Sequence, residues 1–470
     1  MMGKERIDYL SFIRDGRELG GWQKAELVVK LSLPTIMAQL TSILMQYIDA
    51  SMVGHMGANA SASIGLVSST TWLFASLCSA ATAGFYIQVA HLIGAKKYES
   101  ARGVMRRSFP VVLIVTLVMM CIGWGIAGRL PGWLGGTEAI NREASAYFLI
   151  YICFLPAAAC NRLVGGMLQC SGNMKTPGLL NSLMCLLDVM FNGLFIFPTS
   201  THQIGSVALT LPGLGLGVKG AAFGTGAAEL VIACIMLYSL CIRSKLLHLR
   251  KEKVVCDTKA VLRNAATLSL PIALENLITC SAYVMFTRIV APLGAISIAA
   301  HSFAVTAESL CYMPGYGIGE AATTLVGQSV GAKRRDMTRS FARMTTAFGV
   351  AIMTGMGVFM YFAAPFMMGL LTPEQSVCTL GTGVLRIEAF AEPLYGASIV
   401  ASGALRGAGD TLMTSVLNFG SIWLVRLPLG FLLAKQYGLT GVWIAMCMEL
   451  CVRGTLFLIR LFREQWMKKL

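Results

Sequence analysis

The chain alternates long apolar runs with short polar connections. A membrane crossing needs about 20 predominantly apolar residues, and twelve runs qualify: 27–53, 62–92, 108–128, 146–168, 177–197, 218–242, 262–290, 297–328, 341–365, 384–405, 411–434 and 439–462. The pattern predicts an all-α polytopic membrane protein with twelve spans. The connections differ in charge. Lys4, Arg6, Arg14, Arg17 and Lys24 precede span one, and Lys96, Lys97, Arg106 and Arg107 follow span two. Arg243, Lys245, Arg250, Lys251 and Lys253 follow span six, Lys333, Arg334, Arg335 and Arg339 follow span eight, and Lys468 and Lys469 lie at the end. The connections 54–61, 198–217 and 291–296 hold no Lys or Arg. Basic loops stay on the cytoplasmic side, so both termini are expected there. The first 25 residues contain no apolar core ahead of a cleavage site, so span one is expected to direct insertion itself.

The pattern also repeats. Leu31-Ser-Leu-Pro34 returns as Leu268-Ser-Leu-Pro271, Gly57-Ala58 as Gly294-Ala295, and Gly94-Ala-Lys96 as Gly331-Ala-Lys333, each 237 positions on. Gly166, Gly172 and Asn181 match Gly403, Gly409 and Asn418 at the same spacing. The register breaks between spans five and six, where the first half has a longer external loop near 198–217. Six spans per half make matching spans parallel, so the halves are expected to be two six-helix lobes related by a pseudo-two-fold axis along the membrane normal. The expected division is an N-lobe 1–242, a cytoplasmic linker 243–261 and a C-lobe 262–470, which is the architecture of a secondary transporter.

Composition narrows the classes. Hydrophobic residues make up 56% and charged residues 13%, with mean hydropathy +0.67, against about 25% charged in soluble domains. That excludes a disordered chain, a secreted disulfide scaffold and most cytosolic enzymes. The net charge of +15 sits in short loops, so it orients the protein in the membrane and does not mark a nucleic-acid surface. The 14 cysteines form no C-x-x-C and fall mostly inside apolar runs, where they act as small hydrophobes. No phosphate-binding G-x-x-x-x-G-K-[ST] occurs. The G-x-G-x-x-G at Gly215, Gly217 and Gly220 lacks a following acidic partner and reads as a helix-entry turn. An ion gradient is therefore the expected energy source, with no cofactor and no enzymatic activity.

Ionisable and amide residues inside spans are the functional candidates. Gln39, Ser42, Gln46 and Asp49 fall within about 80° on one face of span one, and Asn181, Asp188 and Asn192 within about 40° on span five. Two stripes, each with an Asp and amide neighbours, point to a coupling site for a proton or Na⁺, with Asp49, Asp188 and Asn192 as the Na⁺ ligands. A structural hydrogen-bonding role is the plainer alternative. In the second half, Glu275, Glu308, Tyr312, Glu392 and Tyr395, with Gln39 from the first, are candidates for the substrate cleft. Glu308 has a plainer reading in partnership with Arg288 or His301, and Glu388 in partnership with Arg386. Glu229 and Glu449 repeat one placement in the last span of each half and read as structural. Pro34 and Pro271 each free a carbonyl inside the first helix of a half.

In combination these residues resemble the multidrug and toxic compound extrusion (MATE) transporters. The resemblance rests on Leu31–Pro34, Tyr47-Ile-Asp49-Ala-Ser-Met-Val-Gly54, the two Gly-Ala-Lys elements, Gly327-Gln328, and Ala404-Leu-Arg-Gly-Ala-Gly-Asp410 with its partner Gln169-Cys-Ser-Gly172-Asn173. It covers nearly the whole chain. It implies export of organic, often cationic, compounds in exchange for H⁺ or Na⁺, with Asp49 matching the family's first-helix acid. The family branch named after DinF carries Asn then Asp on its fifth helix, and here the order is Asp188 then Asn192. Thr279 and Tyr395 stand where Na⁺-coupled NorM-type members carry acids, which favours the Asp49–Asp188 lobe. The leading expectation is an antiporter of the bacterial inner membrane acting as a monomer on small organic cations among membrane lipids, with no nucleic-acid partner. The alternative is a flippase for a lipid-linked saccharide or other amphipathic lipid. Its cleft would need basic side chains for phosphate, and the clearest mid-span charges here are acidic.

Overall fold

A computed structural model describes residues 9–204, 207–249 and 257–469. Lys4, Arg6, Arg250, Lys251 and Lys253 lie outside the described residues. Spans one to six are Gly21–Gly54, Ala58–Gly94, Tyr98–Ala127, the bent pair Glu138–Cys153 and Leu155–Cys170, Lys175–Ile196 and Val218–Tyr238. Spans seven to ten are Thr258–Val290, Ala295–Gly331, Arg335–Leu371, and the pair Gln375–Glu388 and Glu392–Gly407. Spans eleven and twelve share one run from Thr411 to Arg463, broken at Gly438 (φ 59°, ψ −138°). Gly217 (φ 58°, ψ −130°) opens span six in the same conformation. A residue without Cβ enters this left-handed region at little cost, so both lobes make the same turn there.

The structure lengthens several predicted elements. Span three starts at Tyr98 and span nine at Arg335, where hydropathy places their starts at 108 and 341. Hydropathy reports only the hydrocarbon-facing stretch, whereas the i→i−4 ladder continues through the polar flank. Span four bends by 43° between its two pieces. Pro156 sits in the first turn of the second piece, and Pro393, 237 positions on, does the same in span ten. A proline there has no N–H to continue the preceding helix. The loop predicted at 198–217 contains an antiparallel hairpin, Pro198–Ile204 with Val207–Leu214. Period-two patterning over so few residues is easily lost beside long apolar runs.

The two lobes meet through spans one and two of the first and seven and eight of the second, chiefly at the end that carries the basic connections. The joint follows the internal symmetry. The His91 ring Nε2 lies 2.7 Å from the Gly407 carbonyl, and Gln328 Nε2 donates to the Cys170 carbonyl at 2.7 Å. His91 and Gln328 are 237 positions apart, as are Cys170 and Gly407. A Cβ on Gly94 would collide with the Gln328 carbonyl, and one on Gly331 with the His91 carbonyl. The interface is thus close backbone packing reciprocated about the pseudo-two-fold axis. The short helix Tyr9–Asp15, not predicted from the sequence, lies across this end, with Leu10 and Ile13 buried in one apolar cluster with Leu27, Val326 and Trp466. Towards the opposite end the ties thin to Tyr47 Oη donating to the Thr306 carbonyl at 2.9 Å and the edge-on packing of Trp72 on Tyr283.

Candidate functional site

Span one packs against span five, and the two polar stripes face each other. Asp188 and Asn192 are one helical turn apart, both buried. Asn192 Nδ2 donates to Asp49 Oδ1 at 2.9 Å and to Asp188 Oδ2 at 3.1 Å. One neutral amide therefore bridges two carboxylates from different helices. Asp188 Oδ1 and Asn192 Oδ1 are buried without a hydrogen-bond partner. Two carboxylates sharing one donor in a low-dielectric setting have a strong electrostatic demand for a proton or small cation. In the observed rotamer the amide nitrogen faces the carboxylates, which suits proton exchange. For Na⁺, Asn192 would need to turn its oxygen inward, because Na⁺ takes oxygen ligands. Among the described residues no group of three or more His, Cys, Asp or Glu gathers as a metal site.

Towards the basic end, a partly open cavity of about 330 Å³ lies between the first lobe and span eight, lined by Gln39, Ser42, Gln46 and Asn181 from the stripes. Asp49, Asp188 and Asn192 are not among its lining residues. The cavity holds three charged groups: Arg162 from span four, Glu229 from span six and Glu320 from span eight. Glu320 belongs to the second lobe yet reaches into the first, where Oε1 accepts from Gln39 Nε2 at 2.9 Å and Oε2 from Gln169 Nε2 at 2.8 Å. The sequence reading missed Glu320 and Arg162. Both are intramembrane charges, and that was the available signal. Glu229, expected to be structural, faces this cavity.

The second lobe disposes of its acids differently. Glu275 is buried outside the two lobe cavities and accepts from Arg406 Nη2 at 2.7 Å, Ser415 Oγ at 2.8 Å and Asn418 Nδ2 at 2.6 Å. Glu449 is clamped by Arg426 and Arg453, with N–O distances of 2.7 Å and 2.8 Å. A second cavity of about 300 Å³ is lined by His301, Glu308, Tyr312, Tyr395 and Arg426. Tyr312 and Tyr395 stack edge-on at 5.5 Å, and the Arg453 guanidinium lies 5.6 Å from the Tyr395 ring centre. Glu392 and Glu388 are fully buried, and none of their four carboxyl oxygens has a hydrogen-bond partner. Arg386, the expected partner of Glu388, turns instead to the Tyr361 carbonyl and ring. His301 packs between Phe286 and Trp443, each 5.8 Å away.

The family model described as MatE matches residues 34–194 and again 271–432, once in each lobe. The chain is 26% identical over 455 residues to a probable multidrug resistance protein NorM of Thermotoga maritima, covering 94% of this chain and 93% of that protein. It is 25% identical over 462 residues to the multidrug resistance protein MdtK of Edwardsiella ictaluri, covering 95% and 96%. Among solved structures, a MOP superfamily transporter from Pyrococcus furiosus superposes with a TM-score of 0.87 at 18% identity, covering 98% of both chains. A mutant of the Vibrio cholerae MATE transporter VcmN gives 0.84 at 18% identity, covering 94% and 96%. At these identities the structural matches carry the fold.

Proposed function

The chain belongs to the MatE family of transporters, and on that premise we propose that it exports small organic, mainly cationic, compounds of several kinds in exchange for H⁺ or Na⁺. The relatives named for multidrug resistance support the efflux part of this reading. Its coupling part rests on one observation, the Asn192 amide held between Asp49 and Asp188. A proton or Na⁺ entering there removes the repulsion between the carboxylates and changes the fit of span one on span five. Span one also carries Gln39, so the change reaches the cavity and the joint between the lobes. In this reading residues 1–242 and 262–470 are the moving lobes and 243–261 their linker. The basic end with both termini is cytoplasmic, the protein sits in a bacterial inner membrane, and the monomer is the working unit.

The test is transport of a fluorescent organic cation in proteoliposomes, with H⁺ and Na⁺ gradients imposed separately. One gradient drives export in the parent protein, and Asp49→Asn and Asp188→Asn each lower coupled transport by at least about tenfold while remaining folded. Transport at parent rates with normal ion dependence in both variants would sink the coupling role. The flippase alternative draws on Arg162, the basic side chain lining the first cavity. Absence of cation transport under either gradient, together with movement of a headgroup-labelled lipid, would favour it.

A further inference from the structure

Two carboxylates near the joint between the lobes differ in how their charge is met. Glu275 in span seven has the Arg406 guanidinium at 2.7 Å together with Ser415 and Asn418. Its charge is already met by a guanidinium and two further donors. Glu320 in span eight receives two neutral amides, from Gln39 and Gln169. Gln169 and Arg406 are 237 positions apart and occupy equivalent places in spans four and ten, whereas the carboxylates they meet do not correspond: Glu275 matches Ala38 and Glu320 matches Ala83. Where the second lobe supplies a guanidinium, the first supplies an uncharged amide. Each Glu320 oxygen retains a lone-pair direction, and the residue is half-buried on the wall of a cavity of about 330 Å³. That volume falls within the range of small-molecule pockets.

From this difference we infer that Glu320 supplies the counter-charge for the cationic group of the transported compound, with Gln39 and Gln169 as the donors that the ligand displaces or shares. The inference rests on the efflux reading above and adds to it the residue and the charge class. It also links binding to motion. Gln39 and Gln169 belong to the first lobe and Glu320 to the second, so a cation that competes for the carboxylate loosens two of the ties between them. Arg162 and Glu229 line the same cavity. Arg162 tempers the negative potential, which limits affinity and favours release.

The experiment is equilibrium binding of ethidium, a permanent organic cation, to the purified full-length protein, read by fluorescence anisotropy. Transport in proteoliposomes is measured alongside. Glu320→Gln preserves shape and removes the charge, while one of the two acceptor oxygens becomes a donor that the Gln39 or Gln169 amide meets by turning its oxygen towards it. It should weaken ethidium binding by about 10- to 100-fold, the lower part of the range for close charge pairs because Glu320 is only half-buried. Glu320→Asp should recover part of the loss. Glu275→Gln, checked for folding by its thermal midpoint, should leave binding within about threefold of the parent. Parent-like binding by Glu320→Gln, or no ethidium binding by the parent protein, would overturn the inference. Binding that depends on Glu320 without gradient-driven transport would uphold the site and count against the antiport reading, so the two failures are separable.

Discussion

The lobes are built on one plan, and their buried charges are handled in opposite ways. The first places Asp49 and Asp188 beside an amide and leaves Glu229 and Arg162 facing a cavity, which Glu320 of the second lobe also enters. The second ties Glu275 and Glu449 into arginine pairs and leaves Glu308 on the wall of its own cavity. At the positions 237 after Asp49 and Asp188 it carries Phe286 and Val425, and at the position 237 before Glu275 the first lobe has Ala38. Corresponding helices thus surround different electrostatics. Compensated charge serves the architecture, and charge lacking a cationic partner is available for a proton, an ion or a ligand. Glu388 and Glu392 belong to neither group, being buried and without hydrogen bonds.

The largest effect is expected from breaking a compensated charge. Glu449→Gln leaves Arg426 and Arg453 buried with their shared carboxylate gone. Orphaning a buried ion pair costs about 3–5 kcal/mol. The thermal midpoint in detergent should fall sharply, and lost transport should track lost folded protein. An Asp49→Asn variant should show the reverse, with transport lost and the midpoint near that of the parent. Should Glu449→Gln keep its midpoint and lose ion coupling, the division between architectural and functional charge would be misplaced.

The reciprocal joint gives the next effect. Gly94→Ala and Gly331→Ala each push a methyl group into a carbonyl of the other lobe, and overpacking of this kind costs about 1–3 kcal/mol. Because the contacts mirror each other, the two variants should shift the lobes apart at the basic end by similar amounts, measured as the distance between labelled cysteines on spans three and nine. His91→Gln reproduces the Gln328 arrangement and should leave that distance unchanged. A large response to one glycine and none to the other would show that the joint is not symmetric.

The two halves of the problem were unequally legible in the sequence. Span number and the internal repeat follow from hydropathy and a fixed spacing, because burying a backbone in lipid forces helices of a set length. Facing stripes on spans one and five were legible because helical periodicity brings Asp49, Asp188 and Asn192 to polar faces. The partners of the second-lobe acids were not. Arg406 lies 131 residues from Glu275, and Arg426 lies 23 from Glu449 across the Gly438 break. Such pairings depend on which helices pack together, and a single sequence leaves that open. Glu320 was hidden for the same reason, since its significance lies in reaching the opposite lobe. The hairpin and the Tyr9–Asp15 helix are short and lie outside the apolar runs on which the reading depended.

The smallest effect also distinguishes the halves. Lys96 and Lys333, 237 apart, both adopt positive φ, 58° and 57°, at the same turn. Lys96 pairs with Asp15 of the N-terminal helix at 2.6 Å, whereas among the described residues no carboxylate lies within ion-pair distance of Lys333. The Lys96 hydrogen bond holds the Asp15 carboxyl below its ordinary 3.8. A depressed carboxylate contributes stability above its unfolded value and loses it as pH falls through the folded one. Parent protein and Asp15→Asn should therefore differ slightly in thermal midpoint near neutral pH and converge below about pH 4. Because the pair is exposed, added salt should shrink the difference. Lys333→Gln should show no such acid-side convergence. A pH-dependent difference of equal size at Lys333 would mean that the N-terminal helix does not set the two turns apart.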